Sequence, residues 1–326
     1  MPDPSPAGRP SIGISQLAYQ LPSQVCSLEV LQQQGELVSS AVTLRGFGFK
    51  RCYRYRDHDE FVGAQVNAGQ AVLQRSGIMP ERIATLFVYS AFPDVPRPTA
   101  ITPADTLALF QYPAGQLHQA LGLPATTRAV AVTQQGCGGL PALIEIAGSI
   151  LQSSPAPSAV LCLAGERLPA GARREILYNV ISDGAGAVLV ERDSPRNRVL
   201  ASVQHTQSYY WDTPRREAEL LAAYFPMAQR VITAALAKAG ISLAEVRWFV
   251  PHNVSWRSWQ ILAQLLTLPE EKIWHHNIGR VGHTISCDHI INLVDMATSG
   301  AVHPGDRLVL FTFGFGANWS CQVVQH

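Results

Sequence analysis

Apolar and polar positions along this chain of 326 residues fall into short apolar runs that alternate with longer segments of helical spacing. The pattern echoes itself. Residues 73–88 close an amphipathic helix, end it at Gly77, turn, and enter the apolar run Ile83-Ala84-Thr85-Leu86-Phe87-Val88; residues 236–250 repeat this with Gly240 in place of Gly77. Each reads as a glycine-capped helix followed by a buried strand. The runs 158–164 and 306–312 predict a second pair of strands, each followed by a glycine-bearing turn, and residues 184–190 and 316–324 a third. Strand openings at residues 12–15 and 199–203 begin the two halves. Strands alternating with helices imply α/β layers, and apolar strand runs imply sheets covered on both faces. The expected body is therefore two pseudo-symmetric halves, residues 1–195 and 196–326, packed as one.

Composition narrows what such a body does. The formal net charge is +1, from 25 basic and 24 acidic residues, with 47% hydrophobic and 15% charged residues. This describes a compact globular protein and argues against nucleic acid as a partner, because that affinity rests on many phosphate contacts. The basic stretch Lys50 to Arg56 is short enough to be a solvated loop. Residues 1–10 carry no apolar run behind their charge, so they read as a frayed leader, not a signal peptide or anchor. No run approaches a membrane span of about 18 apolar residues, and the expectation is a soluble, cytoplasmic protein. Cys26, Cys52, Cys162, Cys287 and Cys321 lack paired spacing and read as reduced, buried thiols.

Cys137 is set apart. The segment 129–147 runs strand, glycine turn, apolar helix, with Gly136, Gly138 and Gly139 around the cysteine. At a helix start, unpaired backbone N–H groups and the helix dipole favour a thiolate, so Cys137 is the nucleophile candidate. His252 follows the strand 248–251 of the second half, and strand ends are where α/β sites collect. The turn from Phe313 to Trp319 supplies N–H groups for a developing oxyanion. Standing alone, each feature has a bland reading: a packing cysteine, a core histidine, a structural turn.

Together these residues resemble the β-ketoacyl-acyl-carrier-protein synthase III group of the thiolase-like superfamily. Gly136-Cys137-Gly138-Gly139 is similar to the group's Cys-Ser-Gly nucleophile turn and Val250-Pro251-His252-Asn253 to its Pro-His-Gln motif. Ser182-Asp183-Gly184-Ala185-Gly186-Ala187 resembles its Gly-Asp-Gly-Ala-Gly-Ala turn, and residues 304–319 its C-terminal signature. The resemblance spans nearly the whole chain. It implies a five-layer αβαβα fold and a homodimer, or a heterodimer with a related subunit. It also implies an acyl thioester on Cys137, His252 acting on the acyl donor or acceptor, and an oxyanion hole from the N–H groups of Cys137 and Phe315. The acyl group would arrive on coenzyme A or an acyl-carrier protein, as substrate; no cofactor is implied.

One departure bears on the reaction. Where the group has Gly-Asn-Thr-Ser, this chain has Gly282-His283-Thr284-Ile285, with Asp288 beyond. His283 either replaces the asparagine in stabilising an enolate during decarboxylative Claisen condensation, or His283 or Asp288 orients His252 as a base, so that an alcohol or amine attacks the acyl-cysteine. The first expectation is condensation in fatty-acid-like or polyketide and secondary-metabolite biosynthesis. Ester or amide formation is the alternative, and a catalytically silent subunit of a heterodimer is a third reading. Asp288 and Asn253 stand as auxiliary candidates. Arg45 and Lys50 to Arg56 fall where a nucleotide phosphate grip would lie. His283, Cys287 and His289 fit no familiar metal template, so no metal is expected.

Overall fold

The computed structural model describes residues 11–92, 110–153 and 158–326; the leader 1–10 lies outside them. In chain order the first half carries β1 (Ile12–Gln20), β2 (Gln24–Ser27), α1 (Leu28–Gln33), α2 (Ala41–Gly46), β3 (Arg51–Arg54), α3 (His58–Ser76), β4 (Ile83–Tyr89), α4 (Pro113–Ala120), β5 (Arg128–Val132), α5 (Gly139–Ser153), β6 (Ala159–Glu166), β7 (Glu175–Ile176), β8 (Asn179–Val180) and β9 (Gly184–Arg192). The second half carries β10 (Arg198–Thr206), α6 (Thr213–Ala239), β11 (Val246–Pro251), α7 (Trp256–Leu266), α8 (His276–Arg280), α9 (Asp288–Thr298), β12 (Arg307–Gly314) and β13 (Asn318–Gln325). Residue 195 falls in the link between β9 and β10.

The sequence echo is an echo of topology. Five strands order as β5-β4-β6-β9-β1 and four as β11-β12-β13-β10, joined only where Gly13 of β1 pairs with Arg198 of β10. In both sets parallel strands, three in the first and two in the second, lead to two antiparallel pairings. Ile273 bridges Phe249 on the free side of β11, the place that β5 holds beside β4. Even the irregularities match: register slips at Ile14/Gln16 in β1 and at Val199/Ala201 in β10, and again at Ile83/Thr85 in β4 and at Val246/Trp248 in β11. Gly77 and Gly240 close α3 and α6 with φ of +63° and +67°, a left-handed conformation that glycine adopts without steric cost.

Five layers result. The helix α3 packs through Phe61, Ala64, Ala68 and Val72 onto the outer face of the first sheet, with α4 beside it. The helix α5, apolar on nearly every side, lies between the sheets against β6, β9 and β13; α9 runs next to it against β1, β9 and β11. The helices α6 and α7 cover the outer face of the second sheet. Among the described residues α6 is the one helix long and apolar enough to cross a membrane, and it packs Leu220, Met227, Val231, Ile232 and Leu236 onto β10, β12 and β13.

Three sequence expectations change. The stretch Lys50 to Arg56 contains β3, with Cys52 and Tyr55 buried, because its residues alternate inward and outward across the β2–β3 ribbon. That ribbon sets Cys26 directly opposite Cys52, a pairing hidden by the two helices between them in sequence; both remain free thiols. And β5 is not covered on both faces: as the edge strand it leaves Ala129, Val130 and Ala131 exposed.

Candidate functional site

Cys137 sits in a 3-10 turn, Gly136–Gly138, that leads from β5 into α5. Tyr89, at the end of β4, braces this turn: its hydroxyl donates to Gly136 O at 2.6 Å and accepts from Gln135 N at 3.2 Å. A side chain at Gly139 would overlap the Tyr89 ring, and Gly136 holds φ +52°. The turn after β12 meets it backbone to backbone. A Cβ on Gly136 would lie 2.7 Å from Phe315 N; one on Gly314 would overlap Gln135 O and lie 2.9 Å from Cys137 N. Glycine at both places brings the Cys137 and Phe315 N–H groups together, as an oxyanion hole requires. Thr312 Oγ1 donates to Cys137 O at 3.2 Å and fixes the same contact from β12.

The residue touching the sulfur is His283. Its main chain is clamped where its N–H donates to Val180 O and its carbonyl accepts from Ser182 N, both at 2.9 Å. From there Nε2 reaches Cys137 Sγ at 3.3 Å, and Nδ1 donates to Asp288 Oδ2 at 2.5 Å. Asp288, first residue of α9 and buried, also accepts from Asn253 N at 2.6 Å, Thr284 N at 2.7 Å and Thr284 Oγ1 at 2.6 Å. Burial alone would strip the proton from His283, but the Asp288 carboxylate and the Cys137 sulfur hold it, raising the imidazole to about 10. Asp288 is in turn held below its ordinary value by His283 against the pull of burial.

His252 is a different kind of imidazole. It leaves the end of β11 with its N–H on Phe311 O and its carbonyl accepting from Trp259 Nε1 at 3.1 Å. The ring is 1% exposed, its centroid 6.0 Å from that of His283, and among the described residues neither ring nitrogen has a hydrogen-bond partner. Burial first, and the nearby His283 charge second, keep it neutral. The sequence reading made His252 the partner of the thiol and left two roles open beside it, His283 stabilising an enolate or His283 or Asp288 orienting His252 as base. The geometry puts His283, not His252, against the thiol. Asp288 orients His283, and His283 contacts the sulfur, because the turn before α9 faces the turn before α5 across the middle layer. Asn253 bears on the site through its backbone N–H.

Cys137, His252 and His283 open on a cavity of about 820 Å³ walled largely by apolar groups, among them Phe92, Ile176, Leu221, Phe225 and Phe313. That volume and lining suit an extended acyl chain. The expected phosphate grip is otherwise engaged: Arg45, Arg54 and Arg56 pair with Glu29, Glu36 and Glu60, while Arg257 lines the cavity. The Ser182-Asp183 motif is a clamp. Asp183 accepts from Tyr55 N and Leu168 N and pairs with Arg174, while Ser182 holds the His283 backbone. His283, Cys287 and His289 have separate partners, Cys287 Sγ on Ala164 O and His289 Nε2 on Phe311 O; no group of metal-ligating side chains is found among the described residues.

Sequence reasoning passed over Tyr89, Thr284 and Glu166. Glu166 ends β6 fully buried, accepting from Ala91 N and Ser286 Oγ, and burial raises its carboxyl to about 7. A lone acid closing an all-apolar strand was the available signal.

Comparison with known proteins bears on this arrangement. Residues 236–326 match the family model for the 3-oxoacyl-[acyl-carrier-protein] synthase III C terminal region. β-Ketoacyl-[acyl-carrier-protein] synthase III of Aquifex aeolicus (strain VF5) is 26% identical over 201 residues, 58% of this chain and 64% of its own. The protein of that name from Lactobacillus delbrueckii subsp. bulgaricus is 33% identical over 169 residues, 45% of this chain and 52% of its own. The chain thus matches less than two thirds of the length of either relative. The crystal structure of the Aquifex protein superposes with a TM-score of 0.81 at 21% identity, over 97% of this chain and 100% of that one. The acyltransferase ChlB3 does so with 0.81 at 22%, over 97% and 98%. These likenesses show a shared thiolase-like fold.

Proposed function

We propose that this chain, whose residues 236–326 match the 3-oxoacyl-[acyl-carrier-protein] synthase III C-terminal family model, is an acyl-transferring condensing enzyme working by a ping-pong route through an acyl thioester on Cys137. The observation that carries this is the Cys137, His283, Asp288 series, with the sulfur on the wall of an apolar cavity and 3.3 Å from an imidazole that a buried carboxylate holds. In the first half-reaction the sulfur attacks the carbonyl carbon of a pantetheine thioester, borne by coenzyme A or an acyl-carrier protein. The oxyanion meets the N–H groups of Cys137 and Phe315. The departing thiolate takes the His283 Nε2 proton, so one carbon–sulfur bond forms as another breaks. Acylation also neutralises the sulfur, removing one of the charges that kept His283 protonated.

For the second half-reaction we place Claisen condensation first. His252, neutral and with unpartnered ring nitrogens, donates an N–H to the enolate oxygen formed when a malonyl thioester loses carbon dioxide; the carbanion attacks the acyl carbonyl and the Cys137 thiolate departs. A second reading is favoured by Asp288. A carboxylate behind an imidazole makes a base, and His283, deprotonated after loading, would take the proton of a hydroxyl or amine acceptor as that acceptor attacks. This reading also fits the fold likeness to an acyltransferase.

The exposed edge strand β5 supports assembly as a homodimer, or with a related subunit, since an apolar sheet edge invites a further strand. Six free cysteines accord with a soluble, cytoplasmic enzyme.

Intact-protein mass spectrometry after mixing with acyl-coenzyme A and with acyl-carrier protein tests the proposal. The expected adduct is absent from Cys137→Ala. Discharge with stoichiometric carbon dioxide from a malonyl donor establishes condensation, and discharge onto an alcohol or amine without carbon dioxide establishes transfer. If no donor loads the protein, the enzyme proposal falls and a silent subunit is the better description.

A further inference from the structure

Behind the two imidazoles lies a chain of buried amides. Asn292, on α9 and 0% exposed, donates through Nδ2 to Pro251 O at 2.8 Å and to Asn253 Oδ1 at 3.0 Å. Its own Oδ1 accepts from Asn277 Nδ2 at 2.8 Å. Asn277 is tied in turn to Asp295 Oδ2 at 2.8 Å and accepts from Arg280 Nε at 2.7 Å; Tyr19 of β1 donates to Asp295 at 2.8 Å. One amide therefore grips both sides of the residue that matters most to the strand end. Pro251 precedes His252 and Asn253 follows it, and the Asn253 N–H donates to Asp288.

We propose that Asn292 is a positioning residue for both imidazoles: by fixing the Pro251-His252-Asn253 turn it aims the His252 ring and holds the Asn253 N–H on Asp288, which in turn holds His283 against Cys137. The physical case is one of orientation and supply. Asp288 accepts four hydrogen bonds, and the one from Asn253 shares Oδ2 with His283. A backbone turn loses that aim when its flanking carbonyl and side chain are released, and a buried carboxylate that loses a donor binds protons more readily. The hold on the His283 imidazolium then weakens. The assignment rests on the proposed use of Cys137 as nucleophile only for its catalytic meaning; the hydrogen bonds stand without it.

Alkylation of Cys137 by iodoacetamide as a function of pH, followed by mass, tests the assignment without any substrate. The other titratable groups around the series are His252 from β11, His289 from α9, Cys287 before it, Glu166 from β6, and Tyr89 and Tyr224 from β4 and α6 on the Cys137 side. None of them is changed by Asn292→Ala or Asn292→Leu, both of which remove the Nδ2 donor without adding a titratable group. The expected result is a rise of about one pH unit in the alkylation midpoint, a roughly tenfold loss of reactive sulfur at pH values below that midpoint. Asn253→Ala, which removes the acceptor Oδ1 together with an Nδ2 that has no partner among the described residues, should reproduce part of that rise and serves if the Asn292 variants do not fold. Folded variants with an unchanged midpoint and only a lower melting temperature would make Asn292 a packing residue and overturn the assignment. A wild-type protein that never accepts an acyl group, alongside variants that do show the midpoint shift, would instead overturn the proposed function and leave this one standing.

Discussion

The turns Gly136–Gly138 and Ile285–Cys287 face one another in the middle layer, each a 3-10 turn leading into a central helix, yet one presents its side chain to the cavity and the other buries it. Cys137 is half-buried between glycines. Ser286, its counterpart, is 2% exposed and donates to Glu166 at 2.5 Å, with Cys287 beside it on a backbone carbonyl. The difference teaches how a repeated scaffold makes an asymmetric site. One half gives up side chains so that backbone N–H groups and a sulfur can approach a substrate. The other fills its turn, and the rigidity so gained aims His283 across the layer. The strand ends divide the same way: Tyr89 closes β4 by bracing the nucleophile turn, while β11 runs on into the His252 ring.

The largest break in this comparison is Cys137→Ala, which should abolish acyl loading, a loss of at least about 10³-fold. Ser286→Ala should load normally and lose only the stability of one buried hydrogen bond, about 1–2 kcal/mol by urea unfolding. Asp288→Asn should lower acyl-transfer kcat on the order of 10²- to 10⁴-fold, since an amide holds the imidazole with less charge. His283→Asn sharpens the choice of chemistry: Cys137 should load more slowly under either reading, but carbon dioxide release with carbon–carbon bond formation from the loaded enzyme should survive under the condensation reading, while transfer to a hydroxyl should disappear under the other.

Smaller effects probe the scaffold. Gly314→Ala drives a Cβ into Gln135 O, and Gly136→Ala also strains a positive φ; each should cost about 2–4 kcal/mol in unfolding experiments. Gly138→Ala, with nothing within 4 Å of its Cβ and no positive φ, should stay within about 0.5 kcal/mol. The two histidines should give pH dependences of opposite sign. His283 is raised in the folded state, so its contribution is full below its ordinary 6.5 and is lost as pH rises through about 10. His252 is depressed, so its contribution is present above 6.5 and is lost as pH falls below it. Unfolding free energies of the wild type and of His283→Asn should converge toward alkaline pH.

The layers and the repeat were legible because they rest on local signals: glycine caps at Gly77 and Gly240, apolar runs of strand length, and a glycine-flanked cysteine before an apolar helix. The site was legible as a set of residues and not as a wiring. Nothing near His252 in sequence reveals that its ring nitrogens go unpartnered among the described residues, and nothing near His283 reveals that Cys137, distant along the chain, lies against it. Those facts depend on how the halves dock. The same limit explains Cys26 and Cys52, whose facing positions are set by the ribbon register, and Glu166, whose partners Ala91 and Ser286 come from other segments.

Gly136 and Gly314 touch main chain to main chain, and the halves they belong to are joined by a single short link between β9 and β10. Neither half therefore owns a reaction centre. Polypeptides 1–195 and 196–326, produced separately, should each be inert toward thioesters and should recover reactivity only by complementation, which makes thioester turnover a direct readout of whether the two have annealed.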